Sequence, residues 1–356
     1  MSTSEDSFLP GLSRSRGFGS DNHSGVHPQI LQSIYQVNHD HCPSYGTDVF
    51  SKKSNQVFKS IFGEKSESYF VFTGTAANVL ALQTLLRPHQ SVACSDCSHL
   101  HMDECGAPEF FTRGKLQILP SKDGKITVDE LKKIYIRQGD QHHSQLKVVS
   151  LTQPTELGTC YTVAEIQSIV AWAHANKIYV HMDGARLTNA CFFLKKSIKE
   201  LTSDLNIDVV SFGGSKNGLM FGEAVVFLNP SLSGDFKFIR KQSAQLPSKT
   251  RFIAAQFLTF FHDHLWQKIS ENSINMAQLL AAELKQISQL EIQYPVESNA
   301  VFVKIPQKWI KPLRAKHFFY VWDEHTFVCR LMTTWDTTSQ DITEFIIEAK
   351  HIRDGR

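Results

Sequence analysis

Short β-branched apolar runs recur along this chain, and stretches of helical periodicity separate them. The runs at 69–72, 91–94, 116–119, 147–151, 208–212 and 224–228, with a further run ending in Asp183, read as buried strands. Helices are expected from Pro28 over about ten residues, then at 48–62, 75–86 and 163–176, with Asp48 as a cap and Pro28 in a first turn. Such alternation confines the chain to an α/β sheet covered on both faces. Residues 231–289 carry a mostly helical pattern. Beyond 291 the pattern turns to strands at 300–305 and 326–331 and a closing helix at 339–352. The expected organisation is a loose tail over 1–18, a large α/β domain over 19–290 and a small α+β domain over 291–356.

One strand junction carries chemistry. The run Asp208 to Phe212 empties into Gly213-Gly214-Ser215, read as a flexible turn, and then Lys216-Asn217-Gly218. Partial burial of a lysine there favours the neutral amine, which is a nucleophile. Its obvious use is a Schiff base with a carbonyl, on a substrate or on pyridoxal phosphate. A lysine beside glycines is more often a solvated turn residue, so Lys216 alone decides nothing. Asp183 ends another strand about one βα unit earlier, where α/β sheets bind ligands. Pyridoxal phosphate needs a Schiff-base lysine and an acid paired with its pyridine nitrogen, and Lys216 with Asp183 supplies the pair. The plain alternative for Asp183 is an N-cap. Thr73-Gly74-Thr75 joins a strand to a helix, and the free N–H groups of a helix start attract an anion such as a phosphate. The plain alternative there is a tight turn capped by threonine. Neither GxGxxG nor a Walker A motif occurs, so dinucleotide and nucleoside triphosphate binding have no fingerprint.

Further segments extend the pattern: Ser20-Asp21-Asn22, Tyr45-Gly46, Thr73 to Asn78, Ser98-His99, Asp103 to Phe110, His181 to Arg186, Gly213 to Gly218 and Arg330 to Thr333. In this order and over nearly the whole chain, they resemble the threonine aldolases of the β-eliminating lyase family, nearest their low-specificity and phenylserine branch. The resemblance implies the aspartate aminotransferase fold (type I of the pyridoxal phosphate enzymes), with a seven-stranded, mostly parallel sheet and a small C-terminal domain. It implies that Gly74 and Thr75 hold the phosphate and that His99 stacks on the cofactor ring. It places Lys241 and Arg251 near the phosphate and Tyr45 at a neighbouring subunit's site, in a homo-oligomer, a tetramer of catalytic dimers. It also puts the segment up to about residue 45 at the small domain or the subunit interface.

Arg186 and Arg330 are candidates for a substrate carboxylate, because a guanidinium matches a carboxylate through two parallel hydrogen bonds. Ser20 is a candidate hydroxyl donor beside them. The chain departs from many threonine aldolases in one loop. Where they carry a histidine, Gln153-Pro154-Thr155-Glu156 places Glu156, so His99, Glu156 and an ordered water all remain candidate bases.

A formal charge of +2 on 356 residues gives no electrostatic case for nucleic acid. No apolar run is long enough for a membrane span, and no signal-peptide core is visible, so a cytoplasmic protein is expected. Seven scattered cysteines point to reduced thiols. Cys94-Ser95-Asp96-Cys97 lacks a second half at zinc-module spacing, so no metal is expected. The expected activity is retro-aldol cleavage of β-hydroxy-α-amino acids to glycine and an aldehyde. The alternatives are β-elimination to a 2-oxo acid and ammonia, an NAD-linked α/β enzyme, and a cofactor-binding protein without turnover.

Overall fold

The computed structural model describes residues 16–355, so the expected loose tail lies almost wholly outside the described residues. Seven strands form the large sheet: β1 (Glu67–Val71), β2 (Gln90–Ser95), β3 (Lys115–Leu119), β4 (Gln145–Thr152), β5 (Tyr179–Gly184), β6 (Val209–Phe212) and β7 (Glu223–Phe227). Their order is β1-β7-β6-β5-β4-β2-β3. Neighbours from β6 through β3 pair in parallel, while β7 runs antiparallel to both β6 and β1. All four residues of β6 are buried, as expected of a strand covered on both faces. Four strands make the second sheet: β8 (Glu291–Ile292), β9 (Ala300–Lys304), β10 (Tyr320–Asp323) and β11 (Val328–Met332), in the order β10-β11-β9-β8 and antiparallel throughout.

The helix Gly74–Leu85 is buried on nearly every side, because Val79, Leu80, Ala81, Leu82 and Leu85 all face the protein interior. Its N-cap is Thr73, whose Oγ1 accepts from Ala76 N at 3.2 Å. On the other face of the sheet, Phe58, Phe62, Phe212, Phe257 and Phe260 make an aromatic core under β6. This core holds the strand that delivers Lys216. The small sheet has its own core, of Leu280, Leu331, Trp309, Phe319 and Phe345, and Phe18 belongs to it. Phe18 N donates to Phe318 O at 2.7 Å, and its carbonyl accepts from Met332 N at 2.8 Å. The segment near residue 18 is thereby an integral part of the small unit.

The two central expectations for the lysine turn fare differently. The hairpin-like pair around it is present as β6 and β7. The turn itself is not a flexible one. A Cβ on Gly213 would collide with the Ala185 backbone, and one on Gly214 with Gly222 O. The glycines are there for close approach.

Candidate active site

The carboxyl ends of β1, β2, β5 and β6 open onto one cavity of about 290 Å³. Thr73, Gly74, Thr75, Asn78, His99, Glu104, Asp183, Ser211, Lys216 and Glu223 line it. Gly74, Thr75, His99, Asp183 and Lys216 thus share the ligand position of an α/β sheet, whereas Arg186, Arg330, Glu156, Ser20, Tyr45, Lys241 and Arg251 are outside this lining.

Lys216 is half-buried in a short 3₁₀ turn and makes no hydrogen bond or ion pair with any described residue. The turn is fixed from two sides. Asn217 Nδ2 donates to Ala185 O and Gly213 O, both at 3.0 Å. The buried Glu223 carboxylate accepts from Gly214 N at 2.5 Å and from Ser215 N at 3.3 Å. Burial pushes Glu223 above the usual carboxylate range, and those N–H groups and Lys216 only partly offset it.

Asp183 is 4% exposed. One oxygen accepts from Ala185 N at 3.0 Å and the other from Asn78 Nδ2 at 2.8 Å. Asn78 Nδ2 also reaches Glu104 Oε1 at 3.1 Å, and that same oxygen meets His99 Nδ1 at 2.8 Å. The Glu104 hydrogen bond raises the His99 pKa against the lowering effect of burial, with help from Glu156 and Asp183. Beneath Asp183 on the same strand, His181 lies between Ser150 Oγ and Ser211 Oγ, each at 2.9 Å. Burial pushes His181 down to about 4, so it is neutral at ordinary pH.

At the start of the helix Gly74–Leu85, the Thr73 side chain satisfies only Ala76 N. Gly74 and Thr75 line the cavity, and apart from the adjoining chain and the helix's own backbone no atom lies within 4 Å of a Cβ placed on Gly74. There is open space at an N–H-rich helix start, which suits a phosphate.

The two arginines differ. Arg186 Nε and Nη2 clasp Asp21 at 2.5 and 3.0 Å. Asn299 Nδ2 supports Asp21 at 3.1 Å. Burial alone would push Asp21 up, yet Arg186, with Lys216 and Asn299, holds it below the usual carboxylate range. Arg330 has no ion-pair partner among the described residues, and its Nε is buried without a hydrogen bond. Its guanidinium lies 5.1 Å from the Trp322 ring and 5.8 Å from the Tyr320 ring, and Nη2 makes only a long 3.5 Å contact to Gly19 O. Burial and the nearby Arg186 charge lower its pKa. Asp21, Glu156 and Asp103 act on it only from beyond ion-pair distance, and a partly desolvated cation without a contacting carboxylate is a receptor for an anion.

Glu156 is half-buried, and its charge acts on His99, Arg186 and Arg330. Ser20 is half-buried outside the cavity lining, where its Oγ accepts from Asn22 N at 3.2 Å. Tyr45, Lys241 and Arg251 gather away from the cavity. Lys241 Nζ lies 5.2 Å from the Tyr45 ring, Tyr45 N donates to Ser248 O, and Arg251 Nη1 donates to Asp40 O. Asn78, Glu104, Glu223, Asp21 and Asn299 were not singled out as site residues from the sequence. Asn78, Glu104 and Asp21 do lie inside the segments that carried the resemblance.

These residues fit pyridoxal phosphate on observations independent of the resemblance. An unpaired lysine, a buried carboxylate and an open helix start share one cavity. Among the described residues no cluster suited to a metal ion is present.

Comparison with known proteins agrees. Residues 17–308 match the family described as Beta-eliminating lyase. The chain is 38% identical over 332 residues to a low specificity L-threonine aldolase of Pseudomonas aeruginosa, covering 92% of this chain and 95% of that protein. It is 37% identical over 344 residues to the protein of that name from a Pseudomonas species, covering 95% and 98%. Among solved structures, a Leishmania major threonine aldolase superimposes with a TM-score of 0.90 at 27% identity, covering 95% of this chain and 99% of that one.

Proposed function

Because this chain belongs to the beta-eliminating lyase family, we infer that it is a pyridoxal phosphate-dependent threonine aldolase, an aldehyde-lyase that cleaves β-hydroxy-α-amino acids to glycine and an aldehyde. The observation that carries the reading is one cavity bounded by Lys216, Asp183, His99 and the Gly74-Thr75 helix start. Arg330, half-buried with an unsatisfied Nε and no ion-pair partner among the described residues, is the candidate anion receptor outside that lining.

Lys216 is the amine that would hold the cofactor through its carbonyl. Asp183, held by Asn78 and Ala185 N, would pair with the ring nitrogen. Gly74 and Thr75 would hold the phosphate and His99 would lie against the ring. When bound, pyridoxal phosphate supplies an electron-poor ring that takes up the electron pair released as the Cα–Cβ bond breaks. Arg330 takes the substrate carboxylate, which fixes the direction of that bond. Arg186 gives one Nε and one Nη2 hydrogen to Asp21, which leaves the two Nη1 hydrogens and the second Nη2 hydrogen for substrate. His99 removes the β-hydroxyl proton as the aldehyde leaves, with Glu156 the second candidate for that role.

The same reading treats residues 19–290 as the cofactor domain and 291–356 as the small domain. Tyr45 is 50% exposed and, with Lys241 and Arg251, lies outside its own chain's cavity. These three serve the cavity of a second copy, in a homodimer that doubles to a tetramer. Ser20 stands near the substrate carboxylate, on the turn whose Gly19 O contacts Arg330. Among the described residues no helix is long and apolar enough to cross a membrane, and a cytoplasmic enzyme of glycine and threonine metabolism is consistent with that.

Product analysis tests the reading. The cofactor-loaded protein mixed with L-threonine, L-allo-threonine or phenylserine should yield glycine plus acetaldehyde or benzaldehyde. Ammonia and a 2-oxo acid would overturn it in favour of β-elimination.

A further inference from the structure

Glu104 is 3% exposed, and its carboxylate joins two residues that the chemistry uses for different purposes. Its Oε1 lies 2.8 Å from His99 Nδ1 and 3.1 Å from Asn78 Nδ2. Asn78 Nδ2 continues to Asp183 Oδ2 at 2.8 Å. Glu104 Oε2 and Asn78 Oδ1 are buried with no partner of their own. Both side chains therefore meet these partners through one oxygen and one nitrogen, and among the described residues no other side-chain hydrogen bond orients them.

A carboxylate on one imidazole nitrogen decides what the other can do. An ionised carboxylate accepts and cannot donate, so Nδ1 must carry the proton. In the neutral ring Nε2 is then the acceptor, the form a base needs. We propose that Glu104 is a positioning residue for His99: it holds the Nδ1 proton, commits Nε2 to the cavity and, through Asn78, locks His99 and Asp183 into one unit. This rests on the aldolase reading only for the proton that His99 removes; the tautomer and the coupling to Asp183 stand on geometry. The charged groups that face His99 are Glu104, Glu156, Asp183 and Lys216. Three of them favour the imidazolium, and Glu104 does so most strongly. Replacing Glu104 by glutamine should therefore let His99 lose its proton at lower pH.

The test is a double-mutant cycle on the holoenzyme with Glu104→Gln and His99→Asn, read as kcat, as the pH profile of the rate and as the visible circular dichroism of the bound cofactor. In the wild-type background Glu104→Gln should cost about ten- to a hundredfold in kcat, below the full contribution of a general base. It should also move the acidic limb of the profile to lower pH. In the His99→Asn background it should cost less than about twofold, because the residue it positions is gone. Equal losses in the two backgrounds, or an unmoved acidic limb, would overturn the proposal and make Glu104 a structural carboxylate. Glu104→Asp, which keeps the charge on a shorter stem, should recover the wild-type pH limb if the chain folds differently with glutamine; failure to recover it counts against the proposal. Asn78→Ala should change the cofactor dichroism without moving the acidic limb as far, and a silent dichroism spectrum would break the link to Asp183. A protein that released a 2-oxo acid would sink the aldolase reading, while the dichroism arm still tests Glu104.

Discussion

Arg186 and Arg330 are close enough to act on each other, lie outside the lining of the cavity, and differ in electrostatic status. Arg186 is closed by a two-point clasp to Asp21, a carboxylate 165 residues away in sequence. Arg330 lies near the Tyr320 and Trp322 rings, with a buried, unsatisfied Nε and no carboxylate in ion-pair contact among the described residues, although Asp21, Glu156 and Asp103 act on it from farther off. A paired guanidinium is structure, since its charge is already neutralised by the fold. An unpaired one costs the fold its desolvation, and the compensating anion must come from outside. The same residue type in the same neighbourhood thus does two jobs, and the pairing decides which.

The largest effect should come from breaking the paired arginine. Asp21→Ala leaves the buried Arg186 charge without its partner, and should cost about 3–5 kcal/mol of stability in denaturant or thermal unfolding. The double change Asp21→Ala with Arg186→Met should recover a good part of that loss, whereas a paired role for Arg330 would have required the same of it. At the unpaired arginine the effects should separate the other way. Arg330→Ala should leave the unfolding midpoint unchanged or slightly raised, and lower kcat/KM about a hundredfold through the lost carboxylate contact. A large loss of stability with little change in kcat/KM would reverse the assignment of the two arginines.

A third contrast lies in pH. Asp21 is held below the usual carboxylate range by Arg186, so its contribution is present at neutral pH and is lost only as pH falls through that lowered value. His181 is buried neutral, with its pKa lowered from 6.5 to about 4. The unfolded chain gains a proton there first, so stability falls as pH drops from about 6.5 toward about 4, by about 3 kcal/mol. His181→Asn should flatten this part of the stability–pH curve, and an unchanged curve would show that His181 does not set it. The smallest effect is expected at the cluster of Tyr45, Lys241 and Arg251. If Arg251 serves a neighbouring copy, as proposed, Arg251→Ala should leave unfolding unaltered and weaken cofactor retention severalfold, and mixing it with Lys216→Ala should restore part of the activity by forming one sound site.

Periodicity made the large sheet legible. The runs at 147–151 and 208–212 lie inside or against the observed β4 and β6, because a strand buried on both faces must be apolar throughout. The strand-end positions of Asp183 and Lys216 followed from the same signal. The helix Gln307–Lys316 was not read, since Pro312 stands inside it and its apolar face is interrupted. The short strand β10 escaped as well, four residues with no fully buried position. The Gly213-Gly214 pair was legible as glycine but not as a packed contact, because the colliding carbonyls come from Ala185 and Gly222. Asp21, Glu104 and Asn299 act only through three-dimensional pairing, which composition and spacing do not carry. Sequence motifs brought His99 and the arginines into view, and only the fold showed which was already satisfied.

The most direct measurement is the visible absorbance of the purified Lys216→Ala protein after incubation with pyridoxal phosphate, beside wild type and Arg330→Ala. Wild type and Arg330→Ala should both show the band of the cofactor linked to a lysine, and Lys216→Ala should lack it while keeping its thermal unfolding midpoint. A Lys216→Ala protein that retained the linked-cofactor band, with activity, would place the nucleophile elsewhere and contradict the account of this cavity.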